Sequence, residues 1–277
     1  MWGNVFACGR AAIRFRDYKP QDVTFRSLRR WLGQFDPVDQ AHAASLLKHI
    51  FYLSEREVAR ILVEQNAQLV RRLRDVHGIA PKKLIYVQVH DAGSSSPVML
   101  NVLRDKAGLE RVGCQFVDSR DALGISRATN RFGEGALIYV DDFAGSGDQF
   151  TEARNFAWQH VIGSFSEFLL IPSICEEAVF ELGKLGVEPV AGHVHAKAER
   201  PLHESSTILS IDAKQRLFDV CEGIRPKMPL GYKRMATMVV LYRNAPTSIP
   251  GIFRGSLNQT PFAGIFPRTN DLPRSEF

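Results

Sequence analysis

The chain has 277 residues, 45% hydrophobic and 23% charged, the balance of a soluble globular protein holding one large domain or a domain plus an extension. No run of about 18 apolar residues occurs, which excludes a helical membrane span, and Met1-Trp2-Gly3-Asn4 lacks the basic-then-apolar order of a signal peptide. Net charge is +5, and Cys8, Cys114, Cys175 and Cys221 are too scattered to form a CxxC pair, so reduced, mostly buried thiols of a cytoplasmic protein are expected.

The basic excess is local. Residues 1–32 carry Arg10, Arg14, Arg16, Lys19, Arg26, Arg29 and Arg30 against Asp17 and Asp22, a net +5 in this segment alone. Two readings stay open: a solvated, solubilising surface, or a patch that meets nucleic acid or an acidic protein partner.

Residues 1–80 read as a helical N-terminal region. Asp36-Pro37 stops one segment, and Val38 to Tyr52 has helical composition through Ala41, Ala44, Leu46, Leu47 and Ile50. Ser54 with Glu57 forms a capping box that opens the clearest helix. Val58, Ile61, Leu62, Leu69, Leu73 and Val76 fall mostly on one face of it, and Arg71, Arg72 and Arg74 complement its dipole. Gly78 ends it, and Pro81 follows.

Residues 81–277 change character. Apolar, β-branched runs at 84–89, 114–117, 136–140, 168–171, 187–194 and 237–242 alternate with helix-like stretches such as 148–161 and 174–185. That alternation implies βαβ units: an α/β domain with a mainly parallel sheet flanked by helices. The tail, 245–277, is rich in Pro, Gly and Asn and reads either as an extended arm lying over the domain or as a partly disordered segment.

The chemistry concentrates at Leu137-Ile138-Tyr139-Val140-Asp141-Asp142-Phe143-Ala144-Gly145-Ser146-Gly147-Asp148-Gln149. An apolar strand ends in two acids, then a small-residue loop, then a helix. Ligands of open α/β sheets bind at the carboxyl ends of strands. Glycines let backbone N–H groups close on a phosphate at the positive end of the next helix. Adjacent carboxylates repel phosphate but suit ribose hydroxyls or a hydrated Mg²⁺. The bland alternative is a strand-end turn that caps the following helix.

This stretch resembles the signature of type I phosphoribosyltransferases, and Asp-Asp-Phe-x-Gly-Ser-Gly-x-Gln is similar to phosphoribosyltransferase-like domains of bacterial conflict systems, including the anti-phage effectors that accompany retron reverse transcriptases. Weaker elements in the same order are Ala92-Gly93-Ser94-Ser95-Ser96, Pro229-Leu230-Gly231-Tyr232, Arg243-Asn244-Ala245-Pro246-Thr247 and Phe266-Pro267-Arg268. The resemblance implies that Asp141 and Asp142 contact ribose hydroxyls and, indirectly, Mg²⁺. It implies that Gly145, Ser146, Gly147, Asp148 and Gln149 cradle a 5′-phosphate, and that Gly93, Ser94, Ser95 and Ser96 form a pyrophosphate loop. The sequence departs from the signature at Asp148, where a small residue is usual, and at Gln149, in place of Thr. The expected function is a phosphoribosyltransferase-like enzyme, or a toxic effector of anti-phage defence, acting on a ribose 5-phosphate compound. The alternative is an inactive nucleotide-sensing or RNA- or protein-binding module on the same fold.

Other candidates carry less. His193 and His195 share one face of a strand and suit hydrogen bonding or a metal. Glu176-Glu177 suits a helix start. Ser126 to Arg131 lies where the family has a mobile loop over the substrate. No G-x-S-x-G elbow follows a strand, which excludes an α/β-hydrolase.

Overall fold

The computed structural model describes residues 2–89 and 96–273. The chain divides into two packed units, one of residues 56–195 and one of residues 1–55 with 196–277.

In chain order the elements are α1 (Trp2–Arg14), α2 (Phe25–Leu32), α3 (Pro37–Leu46), β1 (Phe51–Leu53), α4 (Glu55–Asp75), β2 (Leu84–Gln88), α5 (Ser96–Ala107), β3 (Gln115–Asp118), α6 (Ala122–Phe132), β4 (Glu134–Val140), β5 (Phe143–Ala144), α7 (Asp148–Trp158), β6 (Ser164–Cys175), α8 (Glu176–Lys184), β7 (Val187–His195), α9 (Ile211–Ile224), β8 (Val239–Leu241) and α10 (Gly251–Arg254).

The unit of residues 56–195 is the expected α/β sheet. Its strands run parallel, with β2 between β3 and β4, and with β6 between β4 and β7. Strand β5 continues the line of β4: Val140 pairs with Leu170 and Phe143 with Ser173, so the register passes unbroken across Asp141-Asp142. The strands read as continuous apolar runs because helices cover both faces. Ile85, Val87, Leu137, Leu169 and Ile171 are buried in one core, each contributing about 1.5–3 kcal/mol through removal from water.

Helix α4 belongs to this unit, not to a separate helical region. Its Asn66 Oδ1 accepts the Tyr86 hydroxyl at 2.7 Å, Arg72 pairs with Glu188 of β7, and Ile61 packs so closely on Gly192 that a Cβ there would meet it at 2.3 Å. Residues 126–131 are not a loop but lie within α6. Asp121 caps that helix by accepting the Gly124 amide at 2.9 Å, and left-handed Gly133 closes it.

The other unit joins both ends of the chain. The apolar run at 237–242, expected in the main sheet, forms β8 and pairs in parallel with β1, Phe51 against Val239 and Leu53 against Leu241. Residues 51–53, expected at the end of a helix, are thus strand. The C-terminal segment has little regular structure, yet it supplies core. Phe266 is fully buried against Phe15 and Tyr18, and the Tyr18 hydroxyl donates to the Pro267 carbonyl at 2.7 Å. Trp31 Nε1 donates to the Ile252 carbonyl at 2.8 Å. Arg254 and Arg225 both reach the buried Asp271 carboxylate. All four cysteines are free and buried, and burial pushes Cys114 up to about 11 and Cys221 up to about 12, so these two thiols are inert at neutral pH.

Candidate functional site

The acidic pair follows the last residue of β4, at the carboxyl end of a strand that is central in the parallel sheet. Asp141 is buried and Asp142 half-buried. The Asp141 amide still donates to the Leu170 carbonyl at 3.3 Å, one residue beyond the end of β4. Its Oδ1 accepts the Asp142 amide at 2.9 Å, a local turn that fixes the carboxylate at the strand end.

After β5 the chain turns through Gly145-Ser146-Gly147 into α7. Gly147 is the residue before the helix, at φ +84°, and a Cβ on it would lie 3.3 Å from Ala178 Cα of α8. The left-handed turn therefore favours glycine here, and the close approach of α7 to α8 adds a tight contact that any side chain would have to relieve. Ser146 Oγ lies 3.4 Å from the Asp148 amide, and Thr151 N–H donates to the Gly147 carbonyl at 2.8 Å. The first amides of α7 have no intrahelical acceptor and carry the positive end of the helix dipole. Asp148 stands in that first turn, half-buried, and Gln149 is exposed.

Gly93, Ser94 and Ser95 lie outside the described residues. Ser96 opens α5 with a fully buried hydroxyl, which accepts the Val89 amide at 2.8 Å and donates to the Val140 carbonyl at 2.6 Å. It stitches the ends of β2 and β4 together immediately before Asp141. That hydroxyl is engaged within the fold.

Beneath the loop is an arrangement that the sequence reading missed. Glu167 of β6 accepts Tyr139 of β4 at 3.0 Å and Arg154 of α7 in a two-pronged pair, and Arg154 lies 4.6 Å from the Trp158 ring centre. Arg154 and Glu167 keep only 11% and 5% of their side-chain exposure. The triad anchors α7 to the strand that ends in the acids, and so sets where its N-terminus sits. Burial first, and then the Glu167 charge, raises the Tyr139 hydroxyl above its ordinary value, so it remains a donor. An isolated Glu at 167 and Arg at 154 gave no signal, because their pairing depends on β4, β6 and α7 coming together.

One further group collects at the same end of the sheet. Ser173 and Cys175 of β6 pair in register with His193 and His195 of β7, so all four side chains share one face. Ser173 Oγ and His195 Nε2 share a hydrogen bond, and the two imidazole centres are 4.3 Å apart. The same-face placement of the histidines follows from their spacing; the serine partner does not.

No curated protein and no solved structure matches the chain. The family described as PRTase-CE, which is phosphoribosyltransferase-like, matches residues 28–268, through both packed units. A parallel sheet with an acidic pair at the end of a central strand and a glycine turn into the next helix agrees with that match, and the chain belongs to the PRTase-CE family.

Proposed function

We propose that the chain binds a ribose 5-phosphate compound of the phosphoribosyl pyrophosphate type and acts at its anomeric carbon. The observation that carries the reading is the placement of Asp141-Asp142 at the carboxyl end of β4, directly before the glycine turn into α7. In this reading Asp141 and Asp142 accept hydrogen bonds from ribose hydroxyls. Main-chain N–H groups of Gly145, Ser146, Gly147, Asp148 and Gln149 hold the 5′-phosphate, and Gly93, Ser94 and Ser95 hold the pyrophosphate, with Ser96 anchoring that loop. Two adjacent carboxylates are the hard oxygen donors that a hydrated Mg²⁺ takes, so the residues fit the ion. Mg²⁺, when bound, offsets the charge of the departing pyrophosphate. The bond from the anomeric carbon to pyrophosphate oxygen breaks and one to an acceptor forms, a pentosyl transfer. On the family resemblance, the biological role is that of an effector in anti-phage defence whose toxicity partners restrain.

One observation favours the second reading, a nucleotide sensor without turnover. Asp148 places a carboxylate in the first turn of α7, where it competes with a phosphate for the helix dipole.

Incubating the full chain with phosphoribosyl pyrophosphate and Mg²⁺ in water alone and with a panel of acceptors (bases, nucleotides and nucleic-acid ends), with a chelator control, and following pyrophosphate release tests the proposal. Release that the chelator abolishes is expected. Calorimetric binding without release would favour the sensor; neither binding nor release would overturn both readings.

A further inference from the structure

Residues 1–32 carry the whole net charge of the chain, +5, and the remainder is neutral. All seven basic side chains of this segment are exposed. On α1, Cys8 and Ala11 are buried, and Phe6, Arg10 and Ile13 recur at i, i+4 and i+7 on the outward face with Arg14 beside them. Phe6 is 70% and Ile13 72% exposed. On α2, Leu28, Trp31 and Leu32 are buried, while Phe25, Arg26, Arg29 and Arg30 face outward. The two helices pack on each other, and Arg29 is close enough to Cys8 for its charge to oppose the rise that burial imposes on that thiol.

Lys19 has a partner in Glu55 at 3.1 Å. Among the described residues, Arg10, Arg16, Arg26, Arg29 and Arg30 make no ion pair. Like charges exposed along two packed helices repel each other, and large apolar side chains on the same helices stay wet. A polyanion with flat apolar faces relieves both. The family match begins at residue 28, so α1 and the opening of α2 lie outside the matched segment.

We infer that the outward face of α1 and α2 is a binding surface for single-stranded nucleic acid, with arginines on phosphates and Phe6 and Phe25 as stacking faces. Arginine fits phosphate with a planar fork and also stacks on bases, which suits the use of six arginines and one lysine. Single strands are favoured over duplex because only unpaired bases offer their faces to a phenylalanine. The inference uses none of the residues of the ribose-phosphate reading and stands without it.

The test is fluorescence anisotropy of the full chain with a labelled mixed-sequence single-stranded RNA of about twenty nucleotides, long enough for several stacking sites. Binding should saturate, and its logarithm should fall linearly with the logarithm of salt concentration. The variant Arg10→Gln, Arg14→Gln, Arg26→Gln, Arg29→Gln should flatten that slope by on the order of 3, at about 0.7 per lost phosphate contact. Should that variant melt early, Arg26→Gln with Arg29→Gln alone should flatten it by about half as much. Phe6→Ala with Phe25→Ala should weaken binding by roughly 30-fold or more, at about 1–3 kcal/mol per lost stack, with the slope unchanged. No binding at low salt, arginine variants that bind as wild type does, or phenylalanine variants without effect would overturn the inference. So would tighter capture of polyglutamate, which points to an acidic protein, or of a duplex of equal length.

Discussion

Two of the acidic positions along strand β4 contrast: beside its middle, Leu137 pairs with Glu167 of β6, and at its end Asp141 and Asp142 follow Val140. Glu167 is taken up entirely by the protein. Arg154 grips both its oxygens and Tyr139 donates to one, so both oxygens are engaged within the fold. Asp141 accepts the neutral amide of the next residue, within its own loop. An acid inside a sheet must be neutralised by its neighbours, whereas acids at the carboxyl end of a strand can face a ligand cleft. Glu167 is thus committed to the fold, while Asp141 and Asp142 stand where a ligand would be met in the proposed reading.

The largest expected effect falls on the pair at the strand end. Asp141→Asn with Asp142→Asn should weaken binding of phosphoribosyl pyrophosphate by about two to four orders of magnitude, since each charge-assisted contact contributes roughly 1.5–3 kcal/mol. Asparagine keeps the Oδ1 acceptor for the Asp142 amide, so the melting temperature should stay close to wild type. Calorimetry beside a thermal melt reads both. Unchanged binding would reduce these acids to turn formers and erase the contrast with Glu167.

Glu167→Gln should behave in the opposite way. It leaves Arg154, with 11% of its side chain exposed, without a counter-charge, and removing one member of a buried pair costs about 3–5 kcal/mol. Urea unfolding measures that loss. Glu167→Gln combined with Arg154→Met should recover part of it, because no charge is then stranded. A Glu167→Gln protein as stable as wild type would mean that the triad does not anchor α7.

The sheet was largely legible because its evidence is local. Apolar runs bounded by turns mark β2, β4, β6 and β7, and the acids with the glycine turn mark the end of β4. What escaped depends on distant partners. Strand β8 reads like any buried strand, and nothing near Val239 says that Phe51 rather than β7 pairs with it. Strand β1 is only Phe51–Leu53, too short for alternation to show. The C-terminal segment lacks periodicity, so Phe266 gave no sign that it fills a core beside Phe15. Helix α6 was recoverable: Asp121 three residues before Gly124, with Gly133 at the far end, is a start and a stop.

Asp271 extends the comparison to the other unit. Burial works to raise its carboxyl, but hydrogen bonds from Arg254, the Arg268 amide and Arg225 outweigh that and hold it below the ordinary carboxylate range. A depressed folded value means that the stabilisation is complete above the ordinary range and is lost as pH falls through the folded value. Urea midpoints followed from neutral into acid pH should therefore decline, and Asp271→Asn should be less stable at neutral pH with a shallower decline. A variant as acid-sensitive as wild type would assign the decline to other carboxylates.

The smallest effect distinguishes packing from ligand binding at Gly147. An alanine there must hold φ near +84°, which costs about 1–2 kcal/mol in an L-residue. Its methyl would also meet Ala178 Cα at 3.3 Å and Cβ at 3.5 Å, contacts that α8 can relieve by a few tenths of an ångström. The expected loss is thus about 1–2 kcal/mol, a fall of a few degrees in melting temperature. Phosphate affinity adds a second axis. If the glycine serves only the approach of α7 to α8, Gly147→Ala should lower stability and leave binding of phosphoribosyl pyrophosphate intact. If its amide also holds the 5′-phosphate, the same shift of α7 should weaken binding along with stability. Asp141→Asn with Asp142→Asn moves binding alone and Glu167→Gln moves chiefly stability, so the two coordinates of Gly147→Ala place this residue with the acids of the proposed ligand site or with the acid committed to the fold.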